Sequence, residues 1–249
     1  MGRLDNKICI VTGSTSGIGE ACAKDMAREG GTVVVSGRKE KEGARVVDEI
    51  TKAGGKAIFV RADVTSEDDI RNLVSKTVEA FGRLDVMVAN SGIGLVGAPH
   101  EVTAADWDTM IKTNLTGVFL CDKFAVEQML KQETGGAIVN TGSIHSYVAK
   151  DSVTAYAAAK GGVRMLTKMV GISYPQKGIR ANFVAPGYID TPLLSALPPE
   201  AYEALKQLHP IGRLGRAEEV AKAVTFLASD DASFITGTGL LIDGGYTAV

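Results

Sequence analysis

The sequence predicts an α/β fold built on one parallel, doubly wound sheet of seven strands with helices on both faces. Three observations predict it. Seven short β-branched runs recur along the 249 residues, they are apolar at successive positions as strands covered on both sides must be, and helical patterns lie between most of them. No Pro/Ser-rich linker, repeat or low-complexity tract divides the chain, so a single domain over 1–249 is expected.

In order, the runs are "KICIVT" (7–12), "TVVVS" (32–36), "KAIFVR" (56–61), "VMVAN" (86–90), "GAIVNT" (136–141), "IRANFVA" (179–185) and "GLLID" (239–243). Right-handed crossovers put all their C-terminal ends on one edge, where such sheets bind ligands. Segment 186–215 is the least regular. Its prolines and glycines interrupt any long element, while its leucines and tyrosines need an apolar partner. It reads either as a flap, at about 188–213, folding over a bound molecule or as an ordinary surface excursion.

Charge and cysteines exclude several classes. Lys+Arg of 27 against Asp+Glu of 29 leaves a net charge of −2, so no global field draws in nucleic acid or an anionic membrane. Cys9, Cys22 and Cys121 are odd in number, far apart and set in apolar runs, which fits buried reduced thiols better than disulfides or metal ligands. The start, "MGRLDNKICIVTG", has no signal-peptide core, and no stretch reaches the roughly 18 apolar residues of a membrane span, so a cytoplasmic protein is expected.

The chemistry begins directly after the first strand. "TGSTSGIGE" sets Gly13, Gly17 and Gly19 in a turn that opens a helix, where missing Cβ atoms let backbone approach a pyrophosphate and the helix N-terminus supplies donors. Ser16 and Ile18 stand between those glycines as further contacts of a dinucleotide. At the end of the second strand, Gly37 occupies the place of the acidic residue that would accept from an NAD ribose, and Arg38 and Lys39 follow. A guanidinium there suits the 2′-phosphate of NADP(H), although both cations could instead sit on a solvated helix start. After the third strand, Asp63 and Val64 either meet the adenine or begin the next helix, with Asp63 as N-cap. After the fourth, Asn90, Ser91 and Gly92 leave room for a ribose.

"YAAAK" places Tyr156 and Lys160 one helical turn apart on one face, stripped of bulk between them. Together with "TGSTSGIG", "NSG", "NLTG" (114–117), "NTGS" (140–143), "PGYIDT" (186–191) and "DGG" (243–245), it resembles the short-chain dehydrogenase/reductase family across nearly the whole length. Within that family the chain looks most like bacterial NADP-dependent carbonyl reductases and secondary-alcohol dehydrogenases. Reductases of 3-oxoacyl groups on acyl carrier protein and glucose-type sugar dehydrogenases share the same motifs and remain alternatives. Ala89, Ser91 and Gly142 depart from the usual pattern. A non-catalytic dinucleotide sensor would be expected to lack the tyrosine or the lysine, and both are here.

The resemblance implies a single-domain Rossmann-like fold and a catalytic tetrad of Asn114, Ser143, Tyr156 and Lys160. Hydride reaching a carbonyl carbon leaves charge on oxygen, so Tyr156 is the expected general acid/base, with its phenol drawn down from about 10 by Lys160 and by the oxidised nicotinamide. Ser143 would donate to the substrate oxygen, and Asn114 would hold a relay water. Tyr156 and Lys160 are also expected beside the cofactor, as are Pro186, Gly187, Ile189 and Thr191. His145, Tyr188 and Leu193 are the expected substrate pocket, with His145 a pocket wall or a proton carrier. Leu193, Leu194 and Leu197 lean toward an apolar substrate. Family members are usually tetramers, built through the helices at 103–131 and 153–174 and the last strand.

Overall fold

The computed structural model describes residues 2–132, 134–192, 194 and 198–249. Each of the seven runs is a strand. The first half alternates strictly: β1 (Ile8–Thr12), α1 (Gly17–Arg28), β2 (Thr32–Gly37), α2 (Glu40–Lys52), β3 (Lys56–Arg61), α3 (Glu67–Phe81) and β4 (Val86–Ala89). Then come α4 (Ala104–Ile111), α5 (Gly117–Gln132), β5 (Gly136–Thr141), α6 (Thr154–Ser173) and β6 (Ile179–Pro186). The last part holds β7 (Ile189–Asp190), α7 (Pro199–Gln207), β8 (Gly215–Arg216), α8 (Ala217–Ala228) and β9 (Gly239–Ile242).

The large sheet runs β3-β2-β1-β4-β5-β6-β9 and is parallel at every pairing. Strand order reverses between β1 and β4, so the crevice beyond their carboxyl ends is the switch point at which a ligand fits. Successive residues of one strand enter opposite cores. Ile10, Val34, Met87 and Ile138 pack beneath α3, α5 and α6, whereas Cys9, Val11, Val33, Val35 and Val88 pack beneath α1 and α8. Each such apolar side chain contributes about 1.5–3 kcal/mol. The three cysteines are buried and unpaired, and burial pushes their thiols above the ordinary range.

Three details differ from the sequence expectation. The 103–131 helix is broken: a π turn, Lys112–Thr116, separates α4 from α5 and carries Asn114. Segment 188–213 is not irregular throughout, since α7 and the small β7-β8 pair lie within and beside it. Asp63 is not the N-cap of α3. Ser66 is, its hydroxyl accepting from the Asp69 N–H at 3.2 Å, because a helix starting at Glu67 needs its capping oxygen one residue earlier. Among the described residues no helix is long and apolar enough to cross a membrane.

One polar group in the core carries a testable cost. Asp122 of α5 is buried and accepts from Asn140 Nδ2 at 3.0 Å, and the same amide nitrogen donates to Thr167 at 2.9 Å. Asp122 Oδ1 and Asn140 Oδ1 are buried without a hydrogen-bond partner. Burial raises the Asp122 carboxyl to about 7, against the opposing pull of the Asn140 bond. The unfolded chain releases this proton near its ordinary value, so between about pH 4 and pH 7 the folded state binds more protons and stability falls as pH rises. Asp122→Asn is expected to flatten that fall and to raise the melting midpoint at about pH 8 by a few degrees, while changing it little at about pH 5. Thermal denaturation at the two pH values checks this. An unchanged pH profile would mean that Asp122 is ionised in the fold.

Candidate active site

The chain leaves β1 through a turn that only glycine allows. Gly13 and Gly17 lie in the left-handed region, with φ of 63° and 57°. A Cβ on Gly13 would stand 2.9 Å from Ser91 Cα, and one on Gly19 would stand 2.3 Å from the Gly13 carbonyl oxygen. Side chains hold this loop. Ser14 Oγ donates to the Val11 carbonyl at 2.6 Å and accepts from the Ser36 N–H at 2.9 Å. Thr12 Oγ1 accepts from the N–H groups of Asn90 and Ser91, and Asn90 Nδ2 donates back to the Thr12 carbonyl at 3.0 Å.

Beyond this turn opens a cleft of about 700 Å³ at the switch point. Its walls bring together Gly13, Ser16, Gly17, Ile18, Gly19, Arg38, Lys39, Asp63, Val64, Asn90, Gly92, Tyr156, Lys160 and Thr191. Backbone stripped of Cβ at one wall, an unblocked α1 N-terminus and cations at one end fit a nucleotide with phosphates. Pro186, Gly187 and Ile189 stand behind the wall. Pro186 is paired with Ile242 in the sheet, Gly187 donates to the Ile242 carbonyl, and Ile189 is buried in the second core.

At the outer end, a Cβ on Gly37 would meet the Thr15 methyl at 2.9 Å. An acidic side chain there needs Thr15 to move. Arg38 is exposed, with a guanidinium nitrogen 3.8 Å from Asp63. Burial alone would raise the Asp63 carboxyl, but two hydrogen bonds from Thr65 and the charges of Arg38 and Arg61 hold it below the usual range.

The inner end holds the reactive groups. Ser143 follows β5 and starts a tight turn, its Oγ accepting from the His145 N–H at 3.1 Å. Gly142 replaces a serine here for a packing reason, since a Cβ would crowd Phe183 at 2.8 Å, and its N–H still reaches the Val184 carbonyl. Ser146 Oγ donates to the Lys160 carbonyl at 2.8 Å and docks the turn on α6. Ser143 hydrogen-bonds the Tyr156 phenol. Lys160 is buried, with Nζ 2.7 Å from the Thr141 carbonyl oxygen and 5.6 Å from the centre of the Tyr156 ring.

Burial governs the electrostatics of the pair. It pushes the Tyr156 phenol up, with the Ser143 bond opposing it, and burial alone brings the Lys160 ammonium down to about 8. Asn114 differs from expectation. Its Oδ1 accepts from the Ile93 N–H and its Nδ2 donates to the Ile93 carbonyl, both at 2.8 Å, so the side chain clamps the backbone after β4. A relay water would have to meet peptide groups of the π turn instead.

On the substrate side, His145 lies edge-on between two phenols, 6.2 Å from Tyr156 and 6.4 Å from Tyr188 between ring centres. Burial lowers its imidazole, the bond to the Val148 carbonyl opposes this, and Lys150 adds to the lowering. The charged imidazolium is thereby disfavoured between the two phenols. Leu193 and Leu197 lie outside the described residues. Sequence reasoning missed Thr12, Thr141, Ser146, Lys150 and His209. For Thr12 a signal existed: a hydroxyl closing the apolar run "ICIVT".

Comparison with known proteins gives the family of a chain with this fold and cleft. A family model described as "Enoyl-(Acyl carrier protein) reductase" matches residues 13–247. The cis-4-hydroxycyclohexanecarboxylate dehydrogenase of Sinomonas cyclohexanicum is 46% identical over 98% of this chain and 97% of its own length. This chain is a short-chain dehydrogenase/reductase. The family relationship extends to the cyclohexanol dehydrogenase of Acinetobacter sp. (strain SE19), 43% identical over 99% of the chain and 97% of its own. The glucose 1-dehydrogenase 2 of Bacillus subtilis is 40% identical over 98% and 96%. A crystal structure of a short-chain type dehydrogenase/reductase from Mycobacterium marinum superposes with a TM-score of 0.95 at 36% identity, covering 99% of this chain and 97% of that one. As a short-chain dehydrogenase/reductase, the chain is an oxidoreductase of CH–OH groups that uses a nicotinamide dinucleotide.

Proposed function

We propose that this enzyme interconverts a secondary alcohol and a ketone with NADP(H), using Tyr156 as general acid/base. The observation that carries the reading is one continuous cleft with the exposed Arg38 guanidinium at one end and the Tyr156 phenol and Lys160 ammonium at the other, Ser143 bonding to the phenol. Bound there, the nicotinamide supplies or takes the hydride. Tyr156 Oη gives its proton to the ketone oxygen in reduction and takes it back in oxidation. Ser143 Oγ donates to the same oxygen and stabilises the charge that develops on it. Lys160 holds positive charge near the phenolate and returns a proton toward it, a role matched to a group that titrates near 8. Asn114 is a positioning residue for the wall at Ile93.

Two relatives act on ring alcohols, one bearing a carboxylate and one not, which favours a compact cyclic substrate over a long acyl chain. In this reading 188–213 is the flap that closes over that substrate. The bared apolar side chains Phe119 and Leu130 on α5, and Met165, Met169 and Ile172 on α6, support a homotetramer. A monomer in sedimentation equilibrium is incompatible with it.

The cofactor assignment is tested at Arg38. Arg38→Leu is expected to raise KM for NADP about 10- to 100-fold while changing KM for NAD far less, because only the 2′-phosphate loses a charge-assisted partner. Steady-state kinetics of cyclohexanol oxidation with each cofactor decide it. Equal changes for both would remove the preference for NADP.

A further inference from the structure

Lys150 is a cation without a counter-ion at the mouth of the site. It lies in the loop between the Ser143 turn and α6, partly buried, with Nζ 3.0 Å from the Tyr188 hydroxyl and 4.9 Å from the Tyr188 ring centre. Among the described residues no carboxylate lies within ion-pair distance of it. Asp243, in the neighbouring C-terminal turn, is already taken up by the N–H groups of Gly245 and Thr247 and by the Thr247 hydroxyl.

The groups around this ammonium are aromatic rings. Tyr188 stands 6.0 Å from Tyr246 and 5.8 Å from His209, whose Nε2 accepts from the Tyr188 N–H at 3.2 Å while Nδ1 meets the Leu205 carbonyl at 2.9 Å. Burial raises both phenols and lowers the His145 imidazole. The partly buried ammonium has a hydroxyl and an aromatic face as partners, and no anion among the described residues. The bracing of Tyr188 through His209 fixes where its hydroxyl points, so ammonium and hydroxyl form two donors in a set place. His145 links this pair to the reactive phenol, its ring centre 6.4 Å from Tyr188 and 6.2 Å from Tyr156.

We propose that Lys150 and the Tyr188 hydroxyl form the anion-binding end of the substrate pocket, so that the preferred substrate is a ring-sized secondary alcohol or ketone bearing a carboxylate at the far end from the reacting carbon. This rests on the reading given under Proposed function. In this proposal a six-membered ring substituted at opposite positions places its oxygen at Tyr156 and its carboxylate at Lys150. Lys150 is then a specificity residue, acting on binding and not on the proton transfer.

The test uses the whole chain with NADP+ and four probes: cyclohexanol, 4-hydroxycyclohexanecarboxylate, its carboxamide and 4-aminocyclohexanol. The expected result is a kcat/KM at least about tenfold higher for the carboxylate than for the carboxamide, with an excess that shrinks as salt is added. In Lys150→Met that ratio is expected to fall close to one, and in Lys150→Glu the preference is expected to turn toward the amine. A lysine that merely braced Tyr188 would lower carboxylate and carboxamide by the same factor. A parent ratio near one, or a ratio that survives Lys150→Met, overturns the proposal. NADPH binding by the variants reports whether they fold, and if neither does, the parent ratio and its salt dependence still decide. Turnover of cyclohexanol with indifference to charge removes this proposal alone, whereas turnover of none of the four removes the parent reading and this one with it.

Discussion

Tyr156→Phe is expected to bind NADPH as the parent does and to lose about 10²- to 10⁴-fold in kcat. In the proposed mechanism the phenol is the acid; it meets the Ser143 hydroxyl and lines the cleft, and phenylalanine keeps the ring edge that meets His145 while removing the hydroxyl. KM should therefore change much less than kcat, the pattern of an interaction made in the transition state. Stopped-flow reduction of a cyclic ketone by bound NADPH isolates the step. If hydride transfer in the variant runs within a few fold of the parent, the proton comes from elsewhere.

Lys160→Met should separate activity from stability. Its kcat is expected to fall by at least about 10²-fold, since no cation remains beside the developing phenolate. Its melting midpoint at neutral pH is expected to rise by a few degrees. Burial holds the ammonium at about 8 in the fold against an ordinary 10.5, so below about pH 8 it is charged in both states and its full desolvation cost burdens the folded one. Above pH 8 the unfolded chain binds the extra proton, and parent stability climbs until about pH 10.5. The methionine variant should lack that climb. Loss of the donor to the Thr141 carbonyl works against the gain. A lower midpoint at neutral pH would mean that this bond outweighs the buried charge.

Much of the architecture was legible because its signals are local. Seven runs of β-branched residues became seven strands; the central ones are buried on both faces and need apolar side chains at successive positions, while the edge strands β3 and β9 are partly exposed. The glycine turn was legible for the same reason: positive φ and backbone contact leave a mark on residue type. Asn114 was found as a residue, but "KTNLT" has no feature that separates a π turn from an ordinary helix, and the clamp on Ile93 depends on a partner 21 residues away. The two-residue strands β7 and β8 are too short for any periodicity. Burial decided the direction of the Tyr156 shift, and burial is a property of the assembled fold. Lys150 and Tyr188 are 38 residues apart in separate loops, and nothing in either loop announces that they meet.

The contact between position 37 and the Thr15 methyl makes coenzyme choice a two-site trait. An aspartate at the strand end has to displace the Thr15 methyl, so the room for a carboxylate there is set by residues 15 and 37 together and not by position 37 alone.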